Sequence, residues 1–256
     1  MKVASFIVNS IRVRLPIVLE WLKKNSPDAL CLQETKVPDS KFPWKELEAA
    51  GYSAAYRGEK GYNGVAIIGR EKPRAVRVGF DKEETGGSRL ICAEVGGVPI
   101  VNTYVPQGYE PDSERFLDKL EWLRRLREYF EEYFDPRKPL VWLGDFNIAP
   151  EAIDVYDPEL LDGQVGFNPD EREVLQMVKK WGFVDVFRRH HPEPGQYTFY
   201  DYQMRNAVKN KLGWRIDHIW ATKPLAEKSR DCWIDLEPRL GEKPSDHAPV
   251  VAEFGV

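Results

Sequence analysis

Short apolar runs alternate with longer amphipathic stretches along this chain, and this alternation constrains the fold more than any other feature. Residues 2–8, 28–33 and 64–69 form apolar runs that are too short for helices, so they predict buried strands. The stretch 14–25 repeats its apolar residues at helical spacing and is followed by Pro27, which predicts a helix that ends there. Strands and helices that alternate in this way are typical of an α/β fold.

A hairpin interrupts the alternation and indicates that the sheets are mixed. The stretch 88–105 contains two apolar runs joined by Gly96-Gly97, and a two-residue glycine loop predicts antiparallel neighbours. Two further helices and three further strands are predicted, in the stretches 113–134, 171–181, 139–143, 216–221 and 249–254. Hairpins together with helical crossovers favour mixed sheets over an all-parallel one.

Length, cysteine usage and charge exclude several classes of protein. The 256 residues contain no linker or repeat, so we expect one domain over residues 1–256. Nowhere do ~18 apolar residues follow one another, and no signal peptide precedes the first strand, so we expect no membrane partner. Cys31, Cys92 and Cys232 are far apart and odd in number, which is typical of free thiols in the cytoplasm. The net charge of −4 limits any nucleic-acid contact to a local basic surface.

Polar residues follow several of the apolar runs, where a folded core would expose them at one rim. These residues are Asn9, Glu34, Asp145, Asn147 and Asp217, together with Asp246 and His247 before the last strand. Any one of them could simply cap a helix or close a turn. Their repetition at the ends of so many runs favours a common site.

The residue types of this set are suited to hydrolysis of a phosphodiester. Hard cations such as Mg²⁺ bind carboxylate oxygens, and the set offers carboxylates without the His and Cys ligands that zinc usually takes. A histidine held by a carboxylate can stabilise the charge that develops on a phosphoryl oxygen. Asp145 and Asn147 are two residues apart, so an extended segment would direct both to one side. These are the parts of metal-assisted hydrolysis.

Five short motifs occur in an order that covers nearly the whole chain. They are Leu32-Gln33-Glu34-Thr35-Lys36, Asn102-Thr103-Tyr104-Val105-Pro106, Gly144-Asp145-Phe146-Asn147, Trp214-Arg215-Ile216-Asp217-His218 and Ser245-Asp246-His247-Ala248-Pro249. In this order they resemble the motifs of the exonuclease III family, the class II apurinic/apyrimidinic (AP) endonucleases of the endonuclease/exonuclease/phosphatase superfamily. The resemblance implies a DNase I-like fold, a four-layer α/β sandwich of two mixed β-sheets flanked by helices.

The resemblance also implies a metal site at the motif residues. Glu34 would be the main ligand, supported by Asn9. Asp246 would lie near the metal and could bind a second ion, and Asp145 and Asn147 would complete the set. We expect Mg²⁺ as the cofactor, with Mn²⁺ able to replace it.

The same resemblance implies the catalytic roles. Asp145 would activate or orient the attacking water, and Asn147 would bind the phosphate. His247 would contact a phosphoryl oxygen while Asp217 orients its imidazole, and Tyr104 would contact the phosphate or the nucleophile. Either Asp145 or His247 could be the base. We favour Asp145, because a histidine paired with Asp217 should have a raised pKa and remain a cation.

An aromatic segment is expected to recognise damaged DNA. Phe199 and Trp214, with Ile216 beside them, resemble the family's pocket for a flipped-out sugar without a base, although ordinary core packing would also explain them. Gln107 stands where the family usually has Asn, and its amide could still contact a phosphate.

Basic residues near this segment are candidates for phosphate contacts. Arg205, Lys209 and Lys211 lie between the two aromatic positions, and Arg89 and Lys36 are further candidates. A solvated surface would explain the same residues.

The leading hypothesis is therefore a monomeric enzyme that cuts double-stranded DNA 5′ to abasic sites. The resemblance further implies 3′-phosphodiesterase and 3′→5′ exonuclease activities. Alternatives are another enzyme of the superfamily, such as a sphingomyelinase, an inositol-polyphosphate phosphatase or a non-specific nuclease, and a non-catalytic DNA-binding module. The complete acidic set argues against a non-catalytic module.

Overall fold

Two six-stranded sheets form the centre of the computed structural model, which describes residues 1–82 and 84–256. The strands are β1 Lys2–Ile7, β2 Ala29–Gln33, β3 Ser53–Arg57, β4 Val65–Gly69, β5 Arg74–Val78, β6 Leu90–Val95, β7 Val98–Tyr104, β8 Val141–Asp145, β9 Phe183–Asp185, β10 Asp217–Thr222, β11 Ser229–Ile234 and β12 Val250–Phe254. The first sheet has the order β11-β12-β1-β2-β4-β3, and the second has the order β5-β6-β7-β8-β10-β9. The pairs β1–β2 and β7–β8 are parallel and the other pairs are antiparallel, so both sheets are mixed.

Four helices cover the outer faces of the two sheets, α1 Ile11–Asn25 and α2 Trp44–Ala49 on the first and α3 Glu114–Tyr133 and α5 Pro169–Lys179 on the second. The shorter helices are α4 Pro158–Leu161, α6 Val186–His190, α7 Lys223–Ala226 and α8 Glu237–Leu240, with short 3₁₀ turns at Asp39–Lys41 and Ala152–Asp154. Among the helices of the described residues, none is long and apolar enough to cross a bilayer.

Three buried clusters show how these layers are held together. One cluster joins the inner faces of the two sheets and includes Ile7, Ile100 and Leu143. A second packs α3 and α5 onto the second sheet, and a third packs α1 and α2 onto the first sheet. The expected four-layer sandwich, with helices outside two mixed sheets, is confirmed.

The predicted elements are found, with small shifts at their ends. The hairpin β6–β7 turns at Gly96-Gly97, where both glycines have positive φ angles of 57° and 80°. Helix α1 begins at Ile11 rather than at residue 14, because it starts directly after the turn at Asn9 and Ser10 and retains Pro16 inside. Helix α5 begins at Pro169, since the side chain of Asn168 caps its first turn.

The four strands that the apolar pattern did not predict are the four edge strands. Strands β11 and β3 are the edges of the first sheet, and β5 and β9 are the edges of the second. Most residues of β5 are exposed and those of β3 are only half-buried. Because an edge strand covers little of the core, it lacks the continuous apolar run that indicates a buried strand.

Candidate active site

Three neighbouring strands of the second sheet place polar residues side by side at one end. Tyr104 is the last residue of β7 and pairs in register with Asp145, the last residue of β8. Asp145 in turn pairs with Asp217, the first residue of β10. The strand order thus brings together three residues that are far apart in the chain.

The first sheet contributes residues to the same cleft. Asn9 follows β1 and Glu34 follows β2, and these two strands are parallel, so both residues lie beyond the same end of the sheet. Asp246 and His247 precede β12, which pairs with β1 on its other side. Asn9 and Glu34 have left-handed φ angles of 43° and 55°, which turn the chain sharply where each strand ends.

Close packing between β7 and β8 requires a glycine immediately before Asp145. Gly144 has a φ angle of 135°, and a Cβ atom at this position would lie 1.9 Å from the carbonyl oxygen of Thr103. No other residue fits there without moving the strand. The glycine of the motif therefore allows the backbone at Asp145 to lie directly beside Tyr104.

His247 and Asp217 form a buried pair. The Nδ1 atom of His247 lies 2.7 Å from Oδ2 of Asp217. Burial alone would lower the pKa of His247, but Asp217 and then Asp246 and Asp145 raise the pKa to about 10. The imidazole is therefore a cation at neutral pH, as the sequence predicts.

Asp145 is held on both of its oxygens by Asn147. The backbone N–H of Asn147 donates to Oδ1 at 2.7 Å, and the side-chain amide donates to Oδ2 at 2.8 Å. Burial raises the pKa of Asp145 well above its ordinary value, and the negative charge of Asp217 raises it further. A carboxylate with a raised pKa takes up a proton more readily.

The position of Asn147 differs from the expectation of an extended segment. Asn147 has a left-handed φ angle of 50°, so the chain turns directly after β8. The turn, rather than the two-residue repeat of a strand, brings the side chains of Asp145 and Asn147 together. The Asn147 amide also donates to the carbonyl oxygen of Val105 at 2.9 Å.

A hydrogen-bonded cluster surrounds Glu34. The hydroxyl of Tyr104 donates to Oε1 of Glu34, and the Nζ atom of Lys36 lies 2.9 Å from Oε2. Lys36 also donates to Oδ1 of Asn9 at 2.7 Å, and the Asn9 amide donates to Asp246 at 3.2 Å. Burial and the nearby Glu34 carboxylate raise the pKa of Tyr104, so its hydroxyl stays protonated and remains a donor.

The oxygen atoms of this cluster suit a hard divalent cation. Glu34 and Asp246 offer carboxylates and Asn9 offers an amide oxygen, and the Lys36 ammonium already lies against two of these groups. Within residues 1–82 and 84–256, no three His, Cys, Asp or Glu side chains form a metal site by themselves. A cation here would complete its shell with water and substrate oxygens, as Mg²⁺ commonly does.

A cleft of about 480 Å³ lies over these residues and has an apolar side. Phe199, Trp214 and Ile216 line it, as do Gln107 and Lys36. The Phe199 ring centroid is 4.9 Å from that of His247, so the apolar side adjoins the charged one. The structure thus brings the aromatic candidates and the polar set into one cleft.

Four of the five basic candidates lie outside the lining of this cleft. The guanidinium of Arg89 stacks 4.6 Å from the ring centre of Tyr104 and donates to its carbonyl oxygen. Arg89 therefore stabilises the position of Tyr104 through contacts with both its ring and its backbone. Arg205 is exposed in the loop after Phe199, as are Lys209 and Lys211.

Several residues of the cleft were missed by the sequence analysis. Tyr156, Leu161, Met204 and Leu212 line its apolar side. Tyr156, Met204 and Leu212 belong to irregular segments, and Leu161 ends the four-residue helix α4, so no hydrophobic period indicates which of these side chains face inward. The only signal was that Met204 and Leu212 lie between Phe199 and Trp214 in the sequence.

A buried network beneath the cleft supports the β10 end of the site. Arg215 is fully buried and forms ion pairs with Asp154 at 2.7 Å and with Asp185 at 2.8 Å. Thr198 accepts hydrogen bonds from the backbone N–H groups of Ile216 and Asp217. The sequence analysis identified Arg215 only as part of a motif, because its partners Asp154 and Asp185 are distant in the chain.

Comparisons with known proteins agree with this geometry. Residues 13–247 match the Endonuclease/Exonuclease/phosphatase family. The chain is 36% identical to exodeoxyribonuclease III of Haemophilus influenzae, over 99% of this chain and 100% of that protein. It is similar to the structure of an AP endonuclease from Archaeoglobus fulgidus, with a TM-score of 0.97 and 49% identity over 100% of both chains. It is also similar to the 3′ phosphatase NExo from Neisseria bound to a product DNA hairpin, with a TM-score of 0.96 and 40% identity over 100% of both chains.

Proposed function

The chain belongs to the Endonuclease/Exonuclease/phosphatase family, and from this premise we propose that it is a DNA repair nuclease acting on abasic sites. It hydrolyses the phosphodiester 5′ to an abasic site in duplex DNA, and the products are a 3′-hydroxyl and a 5′-deoxyribose phosphate. It requires Mg²⁺ and acts as a monomer. The same site removes blocking groups and nucleotides from 3′ ends.

The observation that carries this proposal is the arrangement of charges across the cleft. The His247–Asp217 pair and Asp145 form one wall, and Glu34 with Asn9 and Asp246 forms the other. The His247 cation and the Asp145 proton acceptor therefore lie across the cleft from the oxygen atoms that would bind the metal ion. A phosphodiester between them would have its negative charge balanced from both sides.

The oxygen donors around Glu34 would hold the metal ion. Bound there, Mg²⁺ supplies a positive charge next to the phosphate and stabilises the charge that builds up on its oxygens. Lys36 donates to Glu34 and Asn9 in the free protein, so its ammonium group lies where it can contact a phosphate bound at the metal site.

Asp145 and Asp217 of the second sheet, together with His247 of the first, carry the proton transfer and the phosphate contacts. Asp145 accepts a proton from the attacking water, because its raised pKa makes it a stronger base. The cationic imidazole of His247 donates to a phosphoryl oxygen, and Asp217 keeps the ring in position. As water adds to phosphorus, the bond to the upstream 3′ oxygen breaks, and this oxygen takes a proton from solvent water and leaves as the 3′-hydroxyl.

The apolar side of the cleft selects the substrate. A deoxyribose without a base exposes mainly apolar atoms, which Phe199, Trp214 and Ile216 would cover. Since this side adjoins His247, a sugar in the pocket places its 5′ phosphate at the polar set.

A cleavage assay tests the proposal directly. The purified protein is incubated with a duplex oligonucleotide that contains a tetrahydrofuran abasic analogue, in Mg²⁺ and separately in EDTA. We expect a single cut 5′ to the analogue in Mg²⁺, a similar cut in Mn²⁺ and none in EDTA. Intact oligonucleotide after long incubation with either metal would overturn the proposal.

Matched substrates separate this function from its alternatives. The same duplex without the analogue reports non-specific nuclease activity, and a sphingomyelin vesicle and an inositol polyphosphate report the other superfamily activities. Equal cleavage of the abasic and intact duplexes would contradict the abasic specificity. Binding without any cleavage would indicate a non-catalytic module.

A further inference from the structure

A fully buried ion pair lies between the helices α3 and α5, just behind the cleft. Lys119 of α3 and Glu171 of α5 are in direct contact, and both side chains are 0% exposed. In the sequence Lys119 reads as one of many charged residues on a helix. A buried pair of this kind costs desolvation, and hydrophobic residues of similar size would often give an equally stable protein. Its position therefore calls for an explanation beyond stability.

The ammonium of Lys119 contacts the backbone of two cleft segments. It donates to the carbonyl oxygen of Asn147 at 2.8 Å and to that of Gln107 at 3.1 Å. Gly108 has a positive φ angle of 102°, and a Cβ atom there would lie 3.2 Å from Cδ of Lys119. The glycine thus leaves room for the lysine stem to pass beneath the Gln107 loop.

Glu171 contacts a third cleft segment through its other oxygen. Its Oε2 atom accepts from the backbone N–H of Gly166 at 2.7 Å and from that of Asn168 at 3.2 Å. Gly166 lines the cleft, and its carbonyl oxygen accepts from Ala149 at 2.7 Å, two residues beyond Asn147. One ion pair therefore joins the three loops that contain Gln107, Asn147 and Gly166.

We propose that Lys119 and Glu171 are positioning residues that hold Asn147, and through it Asp145, at the geometry needed for hydrolysis. This inference rests on the proposed nuclease function. Asn147 binds both oxygens of Asp145, so a shift of its backbone moves the group that receives the proton. Neither Lys119 nor Glu171 lines the cleft, so they act through the loops and not on the substrate.

The test replaces the pair without leaving a buried charge. Lys119→Met with Glu171→Gln removes both charges, while glutamine keeps the capping of α5 that Glu171 provides with Asn168. The wild-type protein serves as the reference, because Glu171→Gln alone would leave the buried charge of Lys119 without its partner. The readouts are kcat and KM on the abasic duplex, duplex affinity and the melting temperature.

We expect the double variant to have a kcat about 10- to 100-fold below that of the wild type, since a displacement of about 1 Å costs roughly this much in rate. KM and duplex affinity should stay within about twofold, because the DNA contacts remain. Leu126→Ala, a buried residue of α3 away from the cleft loops, controls for loss of stability alone. It should lower the melting temperature and leave kcat unchanged below that temperature.

A kcat equal to that of the wild type in a folded double variant would overturn the inference. So would a fall in kcat of Leu126→Ala that matches that of the double variant. If the double variant melts below the assay temperature, Lys119→Arg replaces it, because it keeps the charge but displaces the donor atoms, and the same fall is expected. A wild-type protein that does not cut the abasic duplex would refute the proposed function instead, so the two failures are distinct.

Discussion

At the scale of single residues, two groups on the same wall of the cleft, Asp145 and His247, are suited to different roles in proton handling. Burial and Asp217 raise the pKa of Asp145, whereas three carboxylates keep His247 protonated up to about pH 10 despite its burial. This division agrees with Asp145 as the base and His247 as the cation. Asp217 is central to both effects, because it lies beside each of them.

Removal of either charge-handling carboxylate should affect rate much more than binding. We expect Asp145→Asn and Glu34→Gln to lower kcat on the abasic duplex by about 10²- to 10⁴-fold, because the transition state loses its base or its metal ligand. Duplex binding, measured by fluorescence anisotropy, should remain within a few-fold. Glu20→Gln, an exposed residue of α1, is the control and should have no effect. A variant with a normal rate would exclude its residue from the chemistry.

The aromatic side of the cleft should determine selectivity. Trp214→Ala removes much of the surface that would cover the sugar. We expect the preference for abasic over intact duplex, measured as the ratio of kcat/KM values, to fall by about 10- to 100-fold, because about 1.5–3 kcal/mol of apolar contact are lost. Trp44→Ala, an exposed tryptophan of α2, is the matched control. An unchanged ratio in Trp214→Ala would show that the pocket is assigned to the wrong residues.

At the scale of elements, strand ends and the turns after them create the site. Asn9, Glu34 and Asn147 all have left-handed φ angles directly after a strand. These conformations are costly for residues other than glycine, and they persist because the surrounding hydrogen bonds hold them. The backbone N–H of Ser10, for example, donates to the carbonyl oxygen of Glu34 at 2.8 Å. Neighbouring turns thus support each other.

Strand β10 also contains a buried neutral histidine that makes stability depend on pH. Burial lowers the pKa of His218 to about 4, and the adjacent Arg215 lowers it as well. Arg215 donates to Nδ1 at 2.9 Å, and Nε2 lies 3.0 Å from the carbonyl oxygen of Ile148, which fits the neutral ring.

The unfolded chain should bind a proton at His218 more readily than the folded chain does. Stability from this group is therefore fully present above pH 6.5 and is lost as the pH falls towards 4. We expect a loss of about 3 kcal/mol in the free energy of unfolding between pH 7 and pH 4, measured with denaturant. His218→Gln, which keeps one donor and one acceptor without titrating, should lack this part of the loss. An equal loss in both proteins would contradict the prediction.

At the scale of the whole molecule, a buried polar network ties the two sheets together next to the site. Asn102 of the second sheet donates to the carbonyl oxygens of Leu32 at 3.0 Å and Ala66 at 2.9 Å in the first sheet. It also accepts from Gln33, the residue before Glu34, at 2.6 Å. This network fixes the first sheet relative to the second where the two halves of the cleft meet.

Loss of this network should destabilise the fold. Asn102→Leu leaves two buried carbonyl oxygens without their side-chain donor, and we expect the free energy of unfolding to fall by about 2–4 kcal/mol. Denaturant unfolding measures this change, with the exposed Asn210→Leu as the control. A stability equal to that of the wild type would show that the sheets are held by apolar packing alone.

Much of the candidate site could be predicted, because its residues lie at the ends of apolar runs and within ordered motifs. Glu34, Asp145 and His247 were identified in this way. Lys119 and Glu171 could not be, since a charged residue on an amphipathic helix usually faces solvent and local pattern does not reveal a partner on another helix. Tyr156 was missed because it lies in an irregular segment, and Leu161 because the four-residue helix α4 is too short to show a period from which burial can be inferred.

The sequence by itself determined where the eight inner strands and the long helices lie, the hairpin at Gly96-Gly97 and the residue types available for chemistry, because these depend on neighbours along the chain. Only the tertiary structure decided which of these residues meet. Tyr104, Asp145 and Asp217 are adjacent because β7, β8 and β10 are neighbours in that register, with β9 at the edge. Strand order depends on how all the layers pack at once, and the same packing removes Lys119 and Glu171 from water and places them behind the cleft.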